Sequence, residues 1–294
     1  MAGARWITAQ LCAVLTLVSG VWLSAQAPVL PYQPPRGSGD SITGAFEGWF
    51  DNDDGSHNFL VGYLNRNLKQ PQDVPIGPNN RIEPGGPDLG QPTHFLPARK
   101  TGVFLVRVPK EFAADQKLTW TLTVNGQTTQ IPLRLHRDYN VNPFRDIAVG
   151  NKPPIVRLAE KGPTIQGPVA MLGGAPAMTT AVATPLALTA WVDDDGKYSS
   201  GSNVPIRDGR SPVELVWSKY RGPGNITFDA AKPKLEVARG GNVDQDFSAK
   251  ATTSASFSAP GDYVLHLLAT DYSGEGGNGE VCCWTNAYVK VTVK

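Results

Sequence analysis

Apolar and polar residues alternate along short stretches of this chain, and the spacing predicts strands almost throughout. Leu118, Trp120, Leu122 and Val124 share one face of a period-two run. Asn125-Gly126 follows, and Ile131, Leu133 and Leu135 answer on the far side. Asn-Gly between two such runs predicts a tight hairpin. Ala45 to Phe50 and Asn58 to Leu64 flank the acidic turn Asp51–Ser56 and predict a second hairpin, with Gly102 to Val108 as a further strand.

Beyond Pro153 the pattern repeats. Ile155–Leu158 opens it, and Leu186, Leu188, Ala190 and Val192 form one inward set, with Ala187, Thr189 and Trp191 outward. Val213, Leu215 and Trp217 form another, followed by Ala255 with Phe257, by Tyr263 to Ala269, and by Ala287 to Val293. The fold class predicted is all-β, with two β-sandwich domains.

Composition agrees. The 294 residues include 31 glycines and 25 prolines, nearly one residue in five where about one in eight is ordinary. This punctuation suits many short strands.

Residues 1–27 carry a single charge, Arg5, then an apolar run from Leu11 to Leu23 and an Ala25-Gln26-Ala27 ending. That is the layout of a secretory signal peptide, and the run is too short for a comfortable membrane span. The chain is therefore expected to be secreted, periplasmic or displayed at the cell surface, with no membrane span in the mature form. Removing Arg5 leaves 26 basic residues against 26 acidic ones. This balance argues against nucleic acid as a partner.

The organisation expected is a leader over 1–27, a flexible Pro/Gly-rich tether over 28–40, a first sandwich over 41–138, a linker over 139–152 and a second sandwich over 153–294. Residues 65–101 stand apart, with seven prolines and little apolar content. Arg81, Glu83, Asp88 and His94 lie here. They are candidate binding residues of a functional loop, the alternative being a cover with one or two short edge strands.

Two regions of the second half carry a family resemblance. Trp217-Ser218-Lys219-Tyr220-Arg221-Gly222-Pro223-Gly224-Asn225-Ile226-Thr227-Phe228 is followed by Ala251 to Tyr263, with Ala259-Pro260-Gly261-Asp262-Tyr263 at its end, and by Ala269-Thr270-Asp271. Pro185 to Gly196 contains the second strand and an acidic turn. Together they resemble the polycystic-kidney-disease (PKD) type of immunoglobulin-like module over about residues 153–294. The complete chain resembles secreted bacterial proteins, a likeness that supplies no activity.

The resemblance implies a sandwich with Trp217 at its centre and Tyr263 in a tyrosine corner. It also implies an extracellular spacer, adhesion unit or accessory domain. The segment from Lys197 to Arg210 and the run Cys282-Cys283-Trp284 depart from the pattern.

No nucleophile elbow, zinc-helix signature or phosphate loop is present, and His57, His94, His136 and His266 are scattered. The chain is read as non-enzymatic and as requiring no cofactor, calcium being the one candidate. Asp193, Asp194 and Asp195 follow the second strand, and Asp271, Glu275 and Glu280 precede the last. In an immunoglobulin-like topology these loops share one end, where oxygen ligands could converge; simple solvated turns are the alternative.

Cys282 and Cys283 are the only cysteines outside the leader. They admit a disulfide between neighbours, bonds to another chain, or free thiols, as a local redox or packing feature. Trp191 and the outer positions Val216, Val264, His266, Leu268 and Tyr288 mark surfaces to be buried against the first domain or a partner. The function expected is a surface or extracellular module contacting a protein or polysaccharide. The alternative is a carbohydrate-binding accessory protein using Trp49, Tyr63 or Trp284 as an aromatic platform.

Overall fold

The computed structural model describes residues 36–146, 150–171, 174–197, 211–240, 245–271 and 282–294. The predicted leader, most of the tether, Glu275 and Glu280 lie outside them. Among the described residues no helix is long and apolar enough to cross a membrane. The protein is all-β.

In the first half the strands are β1 (Ile42–Asp51), β2 (His57–Asn65), β3 (Gln72–Asp73), β4 (Asn80–Glu83), β5 (His94–Phe95), β6 (Ala98–Val108), β7 (Leu118–Val124) and β8 (Gln127–Leu133). They form a sheet β1-β2-β6, a sheet β4-β7-β8 and a two-stranded patch β3-β5. Asn125 and Gly126, with φ of 51° and 76°, make the predicted hairpin turn. Ile42, Phe59 and Val61 from one sheet pack with Ile82, Trp120 and Leu122 from the other.

The proline-rich segment is knitted over this core by buried amides. Asn80 donates to the carbonyls of Val74 and Pro92 at 2.9 and 2.8 Å and accepts from Trp120 Nε1 at 3.0 Å. Three short strands, β3 to β5, lie within it. The end of the tether is fixed as well. The carbonyls of Arg36 and Gly37 accept from Leu68 and Lys69, and Gly39 N–H donates to Gln70 Oε1. Flexibility read over 28–40 from composition therefore does not extend to these residues.

The second half comprises β9 (Ile155–Arg157), β10 (Ile165–Gln166), β11 (Ala177–Thr180), β12 (Leu186–Asp194), β13 (Glu214–Arg221), β14 (Ile226–Phe228), β15 (Leu235–Arg239), β16 (Phe247–Phe257), β17 (Gly261–Thr270) and β18 (Trp284–Val293). One sheet runs β10-β9-β12-β16-β14, with β15 also on β16, and the other runs β11-β18-β17-β13. This is the two-sheet order of an immunoglobulin-like sandwich.

Trp217 lies in the core beside Leu188, Phe257 and Leu265. Tyr263 is 1% exposed, donates to Ala259 O at 2.8 Å and accepts from Gly224 N–H at 3.0 Å, a tyrosine corner. Gly222, at φ 142°, lies so close that a Cβ there would meet the Tyr263 ring at 2.1 Å.

The outer face of β13-β17-β18 packs on the first half. Tyr220 and Tyr288 belong to the first half's core cluster, and Val264 packs against it. Trp284 is buried with Phe50, Leu60 and Leu105. Tyr288 donates to Val103 O at 2.8 Å, Asn286 to Gly102 O at 2.7 Å, and Tyr220 to Gly90 O at 2.6 Å. Arg221 grips both oxygens of Asp88 at 2.9 and 2.8 Å.

Candidate functional site

Strand alternation sorts the aspartates that end β12. Asp193 points outward and pairs with Arg157 at 2.8 Å. Asp194 points inward and is 8% exposed. Its Oδ1 accepts from Gly196 N–H at 2.9 Å, which closes the turn, but its Oδ2 has no hydrogen-bond partner. Asp195 lies at the rim, accepting from Lys197 N–H at 3.1 Å.

Asp271, immediately after β17, is 3% exposed, and its Oδ2 accepts from Asn151 Nδ2 at 2.6 Å. Asn151 is fully buried, and its Oδ1 also has no partner. The backbone carbonyl of Asn151 accepts from Asp146 N–H at 2.8 Å, and Cys283 Sγ approaches it at 3.6 Å.

Burial first, and then the nearby Asp271 charge, push the Asp194 carboxyl up to about 8, against the Gly196 hydrogen bond. Among the described residues no cation pairs with Asp194. Lys197 spends its ammonium on Gly150 O at 3.5 Å and lies 3.9 Å from Asp195. A cleft of about 590 Å³ reaches these side chains from solvent, with Lys152, Asp246 and Arg239 on its walls.

Of the four aspartates expected to bind calcium together, Asp194 and Asp271 come together. Asp193 departs from that expectation: it lines the same cleft, but its carboxylate is paired with Arg157. Among the described residues, no three His, Cys, Asp or Glu side chains form a metal cluster. The third buried group here is an amide, Asn151, which lies in the segment expected to be a linker and so carries no spacing that marks it as a site residue.

No family model matches this chain, and no curated protein matches it. A crystal structure of domains 4 and 5 of the S-layer protein SbsC is similar at 10% identity, over 86% of this chain and 98% of that one, with a TM-score of 0.17. A TM-score at that level carries no argument about fold or role.

The candidate binding residues of the proline-rich segment do not share a site. Arg81 pairs with Glu83 at 2.8 Å on the surface, Asp88 is held by Arg221, and His94 binds Asp73 at 2.9 Å. Lys219 also reaches Asp73 at 2.9 Å. Although burial, the largest single influence, pushes the Asp73 carboxyl up, hydrogen bonds from His94 and Lys219 outweigh it and hold the carboxyl below its usual range. A second cavity of about 150 Å³ lies there, between His94, Lys100, Lys219, Leu268 and Asn286. Trp191 is half-buried on the far sheet under Lys250, whose Nζ is 5.9 Å from the ring centroid.

Two members of the expected aromatic platform are unavailable. Tyr63 is 2% exposed and Trp284 fully buried, because both rings fill cores. Trp49 is half-buried, its indole N–H donating to His136 O at 2.8 Å. Cys282 and Cys283 are joined to each other by a disulfide and are buried at the start of β18.

Proposed function

We propose that the chain is a non-catalytic structural and interaction module of the cell surface or extracellular space, holding a protein partner there. One observation carries the reading: the two sandwiches spend the outer face of a sheet on each other. The buried polar groups of Tyr220, Asn286 and Tyr288 donate across the junction to Gly90, Gly102 and Val103. Such an interface builds a stiff spacer; a cleft that closes on substrate needs elements free to move. The histidines add support. They lie beside Asp51, Asp73, Asp138 and Asn286, four separate places, so no two build one acid–base pair. The leader-like N-terminus and the PKD-like motifs point to the same setting.

A polysaccharide partner is the second reading, favoured by Tyr139 and Phe144, 47% and 40% exposed. They pack edge-on against Phe46 and Phe50, which belong to different core clusters, so each offers its own exposed ring of the kind sugars stack on. Immobilised protein exposed to a cell-envelope extract should retain envelope proteins, with retention abolished by protease treatment of the extract. Retention that survives protease, is competed by soluble polysaccharide and is lost in Tyr139→Ala/Phe144→Ala would overturn the first reading in favour of the second.

A further inference from the structure

We propose that Asn151, Asp194 and Asp271 form a calcium site that ties the segment between the two sandwiches to the carboxylate end of the second one. Two independent observations meet here. Two buried carboxylates meet at this end, Asp271 bonded to Asn151 at 2.6 Å and the Asp194 turn held to neighbouring Gly150 through Lys197 at 3.5 Å, and two oxygens of nine-tenths-buried side chains, Asp194 Oδ2 and Asn151 Oδ1, have no hydrogen-bond partner. They are the only such buried side-chain atoms among the described residues.

Buried oxygens without partners are costly, and neighbouring buried carboxylates repel; one divalent cation relieves both. The donor set selects the cation. Carboxylate and amide oxygens with neither thiolate nor imidazole suit a hard ion, and calcium accepts irregular oxygen sets completed by water. The cleft beside Asp194 gives water and ion a path.

The arrangement also gives the ion a structural task. Asn151 comes from the segment between the sandwiches, Asp194 from the end of one sheet and Asp271 from the end of the other. An ion held by all three ties that segment to both sheets. This goes beyond the proposed function, and either can fail alone: a spacer needs no calcium, and a calcium site implies no partner.

The test titrates calcium chloride into the full chain after treatment with chelator, by calorimetry and by thermal melting. A dissociation constant of about 0.1–1 mM, the range of extracellular modules, is expected, with a rise in melting temperature that magnesium does not reproduce. Asp194→Asn should weaken binding at least about tenfold, since it removes a charged ligand. Should that variant fail to fold, the parent protein decides alone. Superimposable melting curves in excess calcium and in chelator, or an equal response to magnesium, would overturn the proposal.

Discussion

Two buried polar clusters in this protein are built on opposite rules. At the junction, His266 binds Asn286 at 2.9 Å, Asn286 binds Gly102, Tyr288 binds Val103 and Tyr220 binds Gly90. At the carboxylate end, just past the last residue of β17, Asp194 and Asn151 each keep one buried oxygen without a partner. A satisfied network is what an interface needs to stay shut. An incomplete one is what a site needs to take a ligand. The contrast separates architecture from candidate chemistry better than residue type does, since the junction holds more aromatic and titratable groups.

The strongest way to break the junction side is Trp284→Ala. The indole sits against Gly102, where a Cβ would meet its ring at 2.0 Å, and packs with Phe50, Leu60 and Leu105. Emptying such a place costs about 3–5 kcal/mol, read as a lower urea midpoint. A loss under about 1 kcal/mol would mean that the halves are not joined there.

His266 gives the next largest effect. Burial first of all, with a smaller push from Lys100, takes its pKa from 6.5 down to about 4, although the Asn286 bond favours the charged form; Tyr220 and Tyr288 stack around the ring. The folded ring is neutral where the unfolded one is charged. Stability is therefore lost as pH falls from about 6.5 to about 4, by ~3 kcal/mol. Comparing the parent with His266→Gln over that range isolates the effect, and parallel curves would show the imidazole to be solvated.

Much of this was legible in the chain. Strands that repeat every second residue, such as Leu118–Val124 and Leu265–Ala269, reveal their inward face directly, and Asn125-Gly126 fixed one hairpin. Trp217 and Tyr263 are placed by the residues around them. The junction was only half legible. Alternation put Val264, His266 and Tyr288 on an outer face, but nothing local says that another sandwich covers it, because that contact joins residues about 185 positions apart, as between Tyr288 and Val103.

The carboxylate end failed differently. Three successive aspartates look equivalent as a string, and only the pleat sends Asp193 to Arg157 and Asp194 inward. Asn151 lies 120 residues from Asp271, so no spacing rule links them. Short strands such as Gln72–Asp73 and Ile165–Gln166 are too brief to show a period.

The smallest effect tests the contrast most directly, because it has the opposite sign. In chelator, Asp194 should hold its proton in the folded state up to about pH 8, whereas the unfolded carboxyl releases it near 3.8. The folded state then binds more protons, so stability falls as pH rises through this window. Below about 6.5 the His266 effect runs the other way and masks it. Between 6.5 and 8 Asp194 stands clear of His266, and the loss there is about 2 kcal/mol. Urea midpoints of the chelated parent should decline over that interval while those of Asp194→Asn stay level. If the parent is level too, Asp194 has a partner after all, and the two clusters are built alike.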